Sequence, residues 1–545
     1  LPSGNIGHSS GRPRSTPRER RLRSWTIARF PLFKLASDCS DANDVEQTNL
    51  CFRNLTTGNI LRGVGLEIMN SLLKTHLLST DNVQDQLAVY NPADGSLIGH
   101  VRSFNLETVA TIIEEADIAR HAWAARPAKE RAKILRSWFD LIMSHQQELA
   151  QIITAECGKP IAESMGEVAY GASFVEWFAE EGKRTYGDVI PSFADGKRIL
   201  VIKQPVGTCA AITPWNFPVA MITRKVAPAL AAGCSIILKP AELTPLSALI
   251  LEDLSRQAGL PEGLFRVVPT TDPEAMGRLF CENRTIRKLS FTGSTAVGTL
   301  LMAQSASTLK RLSPALGGNA PFIVFDVADL AAAIEGLLAS KFRNAGQTCV
   351  CANRILIQDG VYDAVLGLIV ARTAALKVGD GAAEGTQIGP LISQKAMSGV
   401  SALVDNALAE GARAITGGKP HDLGDLYYSP TVLADVTQAM EITQKEVFGP
   451  IVSVIRFTDE EEAVKIANDT PYGLAAYFYA RDLGRVWRVT EKLEYGMVAA
   501  NDGILSSELA PFGGIKESGI GREGSHYGID EYLEVKYSLM SGLAD

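Results

Sequence analysis

The sequence predicts an α/β protein built on parallel β-sheets, because short apolar strand segments alternate with longer helical segments along most of the chain. From position 207 onward, strand segments such as 208–212 are followed by helical segments such as 219–232. A second series of the same kind begins at 322–325 and continues to about residue 505. Two series predict two parallel α/β units, with a boundary near residues 316–318.

Two amphipathic helices precede the first series. Apolar residues recur with helical spacing over 106–116 and again over 134–142, so both segments are predicted to be helices packed on a core. Within the first series, the pattern predicts strands at 208–212, 235–238, 265–268 and 288–291. It predicts helices at 219–232 and 245–258.

Composition excludes several classes of protein. The 545-residue chain carries 53 basic and 61 acidic residues, a formal net charge of −8, so we expect no nucleic-acid partner. Its 8 Cys are too sparse for a disulfide scaffold, and its 7 His show no H-E-x-x-H spacing, so we expect no metal site. The uncharged stretch 204–223 contains three prolines, which does not suit a membrane-spanning helix, so we expect no membrane partner.

The N-terminal segment 1–86 differs from the rest and is predicted to be disordered in large part. Residues 1–40 are rich in Arg, Ser and Pro and show no helical or strand period. Position 1 is Leu and the first Met is Met69, which favours translated upstream sequence or a fragment over a mitochondrial transit peptide. Whether residues 1–68 belong to the mature protein stays open. We expect a cytoplasmic protein, with the mitochondrial matrix as the alternative.

Three segments carry residues with chemical potential. Cys349 follows a helix in a Gly-rich polar turn, where a thiolate would be nucleophilic, although a lone Cys is more often a buried apolar residue. Asn216 lies between two prolines at a strand end, which suits an oxyanion-binding amide or a structural turn. Gly293 and Ser294 open a helix, where free N–H groups suit a phosphate and Ser294 also suits a plain N-cap.

Together these segments resemble the aldehyde dehydrogenase superfamily over roughly residues 88–540. The shared motifs occur in the family's order: TPWNFP, KPAE, FTGST, GQTC, EVFGP and PFGGIKESGIGRE. Longer strings, such as AMITRKVAPALAAGC and SKFRNAGQTCVCANR, resemble the succinate-semialdehyde dehydrogenases most closely.

The resemblance implies an aldehyde-dehydrogenase-like architecture of two parallel α/β domains and a small β extension. A dinucleotide-binding domain would comprise 87–190 and 206–316, and a catalytic domain would comprise 317–508. The extension would comprise 191–205 and 509–545, and it would mediate assembly into a homodimer or a homotetramer.

The resemblance also implies a mechanism. Cys349 would attack the aldehyde carbon, Asn216 and the Cys349 backbone N–H would hold the oxyanion, and hydride transfer to a nicotinamide would leave a thioester. The positions that match the family's cofactor-binding residues are Trp215, Lys239, Glu242, Gly293, Ser294, Glu446 and Phe448. Because a carboxylate accepts ribose hydroxyls and repels a 2′-phosphate, Glu242 favours NAD, with NADP as the alternative.

Substrate choice would depend on Arg224, Arg343 and Ser506, which match residues that grip the substrate's distal carboxylate in the resembled subfamily. Guanidinium groups suit this role, although each Arg also suits an ordinary ion pair. The implied partner is a small-molecule semialdehyde, with a four-carbon chain favoured over a five-carbon chain. Cys351 matches a cysteine that forms a reversible disulfide with the nucleophile in some members, and a strained bridge between residues i and i+2 suits a redox switch.

One position departs from the family pattern. The family's general base is a Glu in a string of the type L-E-L-G-G, and Ala315 stands at that position here, preceded by Pro314. Alanine cannot activate the water that hydrolyses a thioester, so we predict impaired deacylation. Pro314 is also expected to alter the turn that follows. Glu523 is the residue expected to rescue turnover as a proton relay. A coenzyme A-acylating enzyme and a non-catalytic nucleotide-binding member are the alternatives.

Overall fold

The computed structural model describes residues 72–73, 76–77 and 85–542. The predictions for segment 1–86 therefore fall almost entirely outside the described residues. Within these ranges, no helix is both long and apolar enough to cross a membrane. The same ranges contain no group of three or more His, Cys, Asp or Glu side chains placed to hold a metal ion.

The strands of the described residues are numbered here in chain order. They are β1 (Gln86–Tyr90), β2 (Leu97–Arg102), β3 (Asp188–Ile190), β4 (Arg198–Pro205), β5 (Thr208–Ile212), β6 (Ser235–Lys239), β7 (Phe265–Val267), β8 (Ile286–Thr292), β9 (Arg311–Ala315), β10 (Ala320–Val324), β11 (Ala352–Gln358), β12 (Arg413–Thr416), β13 (Thr431–Ala434), β14 (Ile451–Phe457), β15 (Ala475–Tyr479), β16 (Met497–Ala500) and β17 (Leu533–Met540).

The helices are numbered in the same way. They are α1 (Leu106–Ala124), α2 (Ala128–Ser144), α3 (Gln146–Cys157), α4 (Ile161–Glu181), α5 (Ala220–Ala232), α6 (Leu246–Gln257), α7 (Pro273–Glu282), α8 (Thr295–Ser305), α9 (Leu330–Lys341), α10 (Tyr362–Ala374), α11 (Gln394–Ala409), α12 (Glu441–Gln444), α13 (Glu460–Asn468), α14 (Leu483–Lys492) and α15 (Ser525–Asp530).

The first sheet has the strand order β7-β6-β5-β8-β9, and every neighbouring pair is parallel. All residues of β5 and β6 are buried, which is typical of a parallel sheet covered on both faces and explains the apolar runs at their centres, over 209–212 and 236–238. The predicted strands of this series and the helices at 106–116, 134–142, 219–232 and 245–258 are confirmed, with small differences at their ends.

The second sheet has the order β12-β13-β14-β11-β10-β15-β16. Its pairs are parallel except for β12 with β13, so the expectation of a purely parallel series is wrong at this edge. The physical reason is the connection between the two strands, which returns directly through residues 417–430 without a crossover helix and therefore reverses the chain.

The third sheet is a small antiparallel ribbon of order β17-β4-β3. Two of its strands, β4 and β17, fall inside the predicted extension of 191–205 and 509–545, whereas β3 begins earlier, at Asp188. Apolar side chains point outward from the ribbon, with Val189 78% and Val535 68% exposed. The domain boundaries themselves stay predictions.

Candidate active site

The carboxyl ends of β5, β6 and β8 lie side by side at one edge of the first sheet. Trp215 and Asn216 follow β5, Lys239 ends β6, and Gly293 and Ser294 follow β8. Ligands of open α/β sheets bind outside the carboxyl ends of the strands. The structure therefore brings these predicted site residues to the edge where a ligand is expected.

Cys349 lies in a strained turn between α9 and β11. Asn344 and Ala345 have left-handed φ angles of 51° and 55°, which L-residues seldom adopt. Gly346 follows with a φ of 77°, and a Cβ there would lie 2.2 Å from the carbonyl oxygen of Gly449, so only glycine fits. Such strain persists only where the surrounding structure enforces it, and it is concentrated at functional sites.

The surroundings of the Cys349 sulfur favour the thiol over the thiolate. Burial raises its pKa to about 12, while the nearby Arg224 guanidinium acts in the opposite direction. Cys349 is half-buried in the turn, and desolvation of its sulfur opposes the charged form more than Arg224 favours it. The nucleophilic thiolate stays a prediction.

Asn216 is buried and fixed by its neighbours in the Cys349 turn. Its side-chain amide donates to the backbone carbonyl of Gln347 at 3.0 Å, and its own backbone carbonyl accepts from the Asn344 side chain at 3.2 Å. The Asn216 Oδ1 atom has no hydrogen-bond partner among the described residues. One amide hydrogen of Asn216 is thus used to join the two segments, and the second is left for a ligand.

A buried ion pair holds the Asn216 segment from the other side. The Lys159 ammonium lies 2.5 Å from the Glu167 carboxylate, and neither side chain is exposed. Lys159 also donates to the Asn216 carbonyl at 2.6 Å, while Glu167 accepts from the backbone N–H of Val219 at 2.9 Å. The pair therefore fixes both ends of the segment that carries Asn216.

Helix α4 also fixes the Cys349 turn, through a second carboxylate. Glu163 accepts from the strained backbone N–H of Asn344 at 2.6 Å. Sequence reasoning missed Lys159, Glu163 and Glu167. The signal that could have found the two glutamates is their spacing of four in α4, which places both on one face, with Glu167 buried and Glu163 half-buried.

The turn after β8 is shaped for an anionic group. Ser294 is the N-cap of α8 and accepts from the Val297 N–H at 3.4 Å, so the N-cap alternative is confirmed as a local role. The Thr292 hydroxyl is buried without a partner among the described residues. Lys239 and Glu242 form a half-buried ion pair at the carboxyl end of β6, at the same edge of the sheet. Free helix N–H groups, an ammonium and a carboxylate are the donor and acceptor set that a dinucleotide requires.

Residues from the second sheet face this edge. Glu446 accepts from the Gly318 N–H at 3.3 Å, and burial raises its pKa to about 8. Phe448 has a left-handed φ of 52°, and its ring meets the Trp215 ring edge-on, with 5.7 Å between the centroids. Trp215, Glu446 and Phe448 are therefore brought together, and a flat ring system fits the surface that they form.

Arg343 and Ser506 line a cleft of about 690 Å³ beside the Cys349 turn. The Arg343 guanidinium lies over the Phe217 ring, 4.6 Å from its centroid, which fixes its direction. Two of the three predicted substrate residues, Arg343 and Ser506, therefore line the same cleft.

Arg224 is absent from the described lining of this cleft. It is 2% exposed, its Nε atom lies 2.7 Å from the Glu523 carboxylate, and its guanidinium packs over the Phe512 ring. The alternative expectation, an ion pair, is therefore what the structure shows for Arg224 in this state.

The Glu523 carboxylate forms ion pairs with two positively charged side chains. Its carboxylate contacts both Arg224 and Lys225. Burial acts to raise the pKa of Glu523, but the two cations hold it below its ordinary value. A carboxylate held in this way is ionised at neutral pH and is a weak proton acceptor.

Pro314 is accommodated in β9 because this strand lies at the edge of the first sheet. The Pro314 carbonyl accepts from the Ile520 N–H at 3.0 Å, and the nitrogen of an extended residue faces the same side as its carbonyl. No bond to β8 is lost, so the strand runs regularly to Ala315. An altered turn after Pro314 stays a prediction. The Gly293 N–H donates to the Ala315 carbonyl at 3.2 Å. Ala315, which stands where the family's general base is expected, therefore lies next to the turn that follows β8.

Cys349 and Cys351 are both free thiols in the structure. The Cys351 sulfur is directed towards the Lys341 carbonyl at 3.3 Å and is buried. Burial raises the pKa of the Cys351 thiol, with Lys341 acting in the opposite direction. The disulfide between the two cysteines stays a prediction.

The family comparison agrees with this geometry. The model of the Aldehyde dehydrogenase family matches residues 79–538. The chain is 55% identical over 466 residues to the glutarate-semialdehyde dehydrogenase of Pseudomonas aeruginosa, covering 86% of this chain and 96% of that protein. It is 56% identical over 456 residues to the NADP(+) succinate-semialdehyde dehydrogenase GabD of Escherichia coli, covering 84% and 94%.

A solved structure agrees as well. The succinate-semialdehyde dehydrogenase of Burkholderia pseudomallei superposes with a TM-score of 0.83 at 55% sequence identity, covering 84% of this chain and 94% of that one. The chain therefore belongs to the aldehyde dehydrogenase family, which confirms the predicted resemblance and the fold class.

Replacing Glu167 with Gln should destabilise the protein. The Lys159 ammonium would stay buried without its counter-charge, so we expect the free energy of unfolding to fall by about 3–5 kcal/mol in urea denaturation. The double variant Lys159→Met with Glu167→Gln is the matched control, and it should recover much of that loss. A Glu167→Gln protein as stable as the wild type would contradict the role given to the pair.

The reactivity of Cys349 towards iodoacetamide should rise steeply with pH. Because burial raises the thiol pKa to about 12, the thiolate fraction grows about tenfold for each pH unit between 7 and 9. Peptide mass spectrometry of Cys349 after timed alkylation measures the rate. A plateau below pH 8 would show that the thiol ionises near neutrality in the unliganded protein.

Proposed function

We propose that the protein oxidises an aldehyde that carries a distal carboxylate, with succinate semialdehyde to succinate as the favoured reaction and NAD(P) as oxidant. The observation that carries this proposal is the cleft in which Arg343 and Ser506 lie beside the Cys349 turn. A permanently charged guanidinium and a hydroxyl are suitable partners for a carboxylate. The names of the relatives from Escherichia coli and Pseudomonas aeruginosa support four-carbon and five-carbon semialdehydes respectively.

In the proposed mechanism, Cys349 releases its thiol proton to water, and its sulfur forms a bond to the aldehyde carbon as the carbonyl π bond breaks and its electron pair moves to the oxygen. The free amide hydrogen of Asn216 and the Cys349 backbone N–H hold the oxygen, which becomes negatively charged. The segment that carries Asn216 is already fixed by Lys159 and Glu167, so little reorganisation accompanies this step. NAD(P), when bound, supplies the hydride acceptor. A thioester is left on Cys349.

Hydrolysis of that thioester needs a base, and the chain lacks one at the position where its relatives are expected to carry it. Ala315 has no group that accepts a proton. Glu523 is ionised but is bound to two cations, so its capacity to relay a proton is small. We therefore propose that deacylation is the slow step.

The residues proposed to hold the cofactor divide by chemistry. The N–H groups at Gly293 and Ser294 suit the pyrophosphate, and Lys239 with Glu242 suits the adenine ribose. Trp215, Glu446 and Phe448 suit the nicotinamide end. Glu242 favours NAD, whereas its ion pair with Lys239 offsets the negative charge and leaves NADP as a substrate.

We also propose assembly into a homodimer or homotetramer through the third sheet. Its exposed apolar residues include Val535 and Tyr537 on one face and Val189 on the other, and exposed apolar surface of this kind marks interfaces. The division into a cofactor-binding domain of 87–190 and 206–316 and a catalytic domain of 317–508 completes the proposed organisation.

The substrate proposal is tested by the burst of NADH or NADPH on mixing enzyme, dinucleotide and aldehyde. Succinate semialdehyde should reach half-maximal burst rate at a concentration about 10–100-fold lower than butanal, because hydrogen bonds to a charged group contribute about 1.5–3 kcal/mol. Arg343→Met should abolish the difference.

Arg372→Met is the matched control for that variant. Arg372 lines the same cleft but pairs with Glu335 at the surface, so the preference for succinate semialdehyde should persist. Equal half-saturation for both aldehydes in the wild type would contradict the proposed substrate class.

Restoring the carboxylate should restore turnover. We expect Ala315→Glu to raise the steady-state rate by about 10²–10⁴-fold while leaving the burst rate within a few-fold, because a general base accelerates deacylation only. Ala315→Gln, which has the same size and no proton-accepting carboxylate, is the matched control. A wild type that already turns over as fast as Ala315→Glu would show that another group supplies the base.

A further inference from the structure

Tyr170 lies in the wall of the cleft that contains Arg343 and Ser506. Its ring meets the Phe174 ring edge-on at 5.0 Å between centroids, and it packs against a small apolar cluster formed by Phe217, Ala220 and Met221. An aromatic ring held on two sides has little rotational freedom, so the direction of its hydroxyl is fixed by the fold.

The Tyr170 hydroxyl is buried and makes no hydrogen bond within the part of the chain that the structure describes. Native proteins leave few buried polar groups unpaired, and such a group usually has a functional explanation or a missing partner. The groups that face it are Ser506 and the guanidinium groups of Arg224 and Arg343, with the Glu523 carboxylate behind Arg224.

These surroundings define what the hydroxyl could bind. Burial raises the pKa of Tyr170, with Arg224 and Arg343 acting in the opposite direction, so the phenol keeps its proton at neutral pH and acts as a donor. The two cations favour an anion in front of it. A carboxylate has two oxygens and can accept several hydrogen bonds, more than Arg343 alone provides.

Arg224 is less able to supply that further donor. Its Nε atom faces Glu523 and its NH2 group contacts the Met221 sulfur. Few of its N–H groups are therefore left to donate to a ligand. Tyr170, in contrast, lines the cleft, with its hydroxyl next to Ser506 and Arg224.

We infer that Tyr170 is a specificity-determining residue whose hydroxyl donates a hydrogen bond to the distal carboxylate of the substrate, together with Arg343 and Ser506. This inference rests on the proposed function. Arg224 contributes through its charge, from behind the tyrosine. A neutral donor suits this position because it adds a hydrogen bond without adding another buried charge that would need a counter-ion.

The test compares Tyr170→Phe with the wild type in the burst assay, using succinate semialdehyde and butanal. The variant keeps the ring and its contact with Phe174, so the fold and the shape of the cleft are retained. We expect the half-saturating concentration of succinate semialdehyde to rise about tenfold and that of butanal to change less than about twofold. Tyr428→Phe, a buried tyrosine outside the cleft, is the matched control and should change neither.

Succinate gives a second readout that does not depend on turnover. Its half-protecting concentration against alkylation of Cys349 should rise by a similar factor in Tyr170→Phe. An unchanged preference in Tyr170→Phe, or an equal rise for both aldehydes, would overturn the inference while the proposed function stands. A wild type without preference for succinate semialdehyde would overturn both.

Discussion

The active site depends on one face of helix α4. Four residues apart on that helix, Glu163 holds the strained backbone of the Cys349 turn and Glu167 holds the segment that carries Asn216. Lys159 neutralises Glu167 and binds the Asn216 carbonyl, so a fully buried ion pair joins the nucleophile's partner to the scaffold. Removing one member of such a pair is costly, and the catalytic geometry is therefore tied to the stability of the fold.

The same face continues into the substrate cleft. One turn beyond Glu167, Tyr170 presents its hydroxyl to Arg343 and Ser506. Glu523 is bound by Arg224 and Lys225, an arrangement that makes the carboxylate a poor proton acceptor. In the proposed mechanism, the absence of a base at Ala315 is therefore not compensated by Glu523. We propose that the chain keeps the groups for acylation and lacks the base for hydrolysis.

The sequence allowed the first sheet to be predicted because β5 and β6 are buried and carry apolar runs at their centres, over 209–212 and 236–238. The Cys349 turn and the Asn216 segment were identified from motifs. The pairing of Arg224 with Glu523 joins residues 299 positions apart in the chain, and no local pattern encodes such a contact. The antiparallel β12 and the edge position that tolerates Pro314 depend on sheet order, which is a tertiary property. No helix was predicted over 146–181, and so the glutamates of α4 were missed.

The most direct measurement is the intact mass of the protein, followed by peptide mapping, seconds after mixing with NAD and succinate semialdehyde and quenching in acid. A covalent succinyl adduct on Cys349 that accumulates in the wild type and is lost in Ala315→Glu is the predicted result. The absence of an adduct in a protein that forms NADH, or an adduct on another residue, would contradict a Cys349 thioester whose hydrolysis is limited by Ala315.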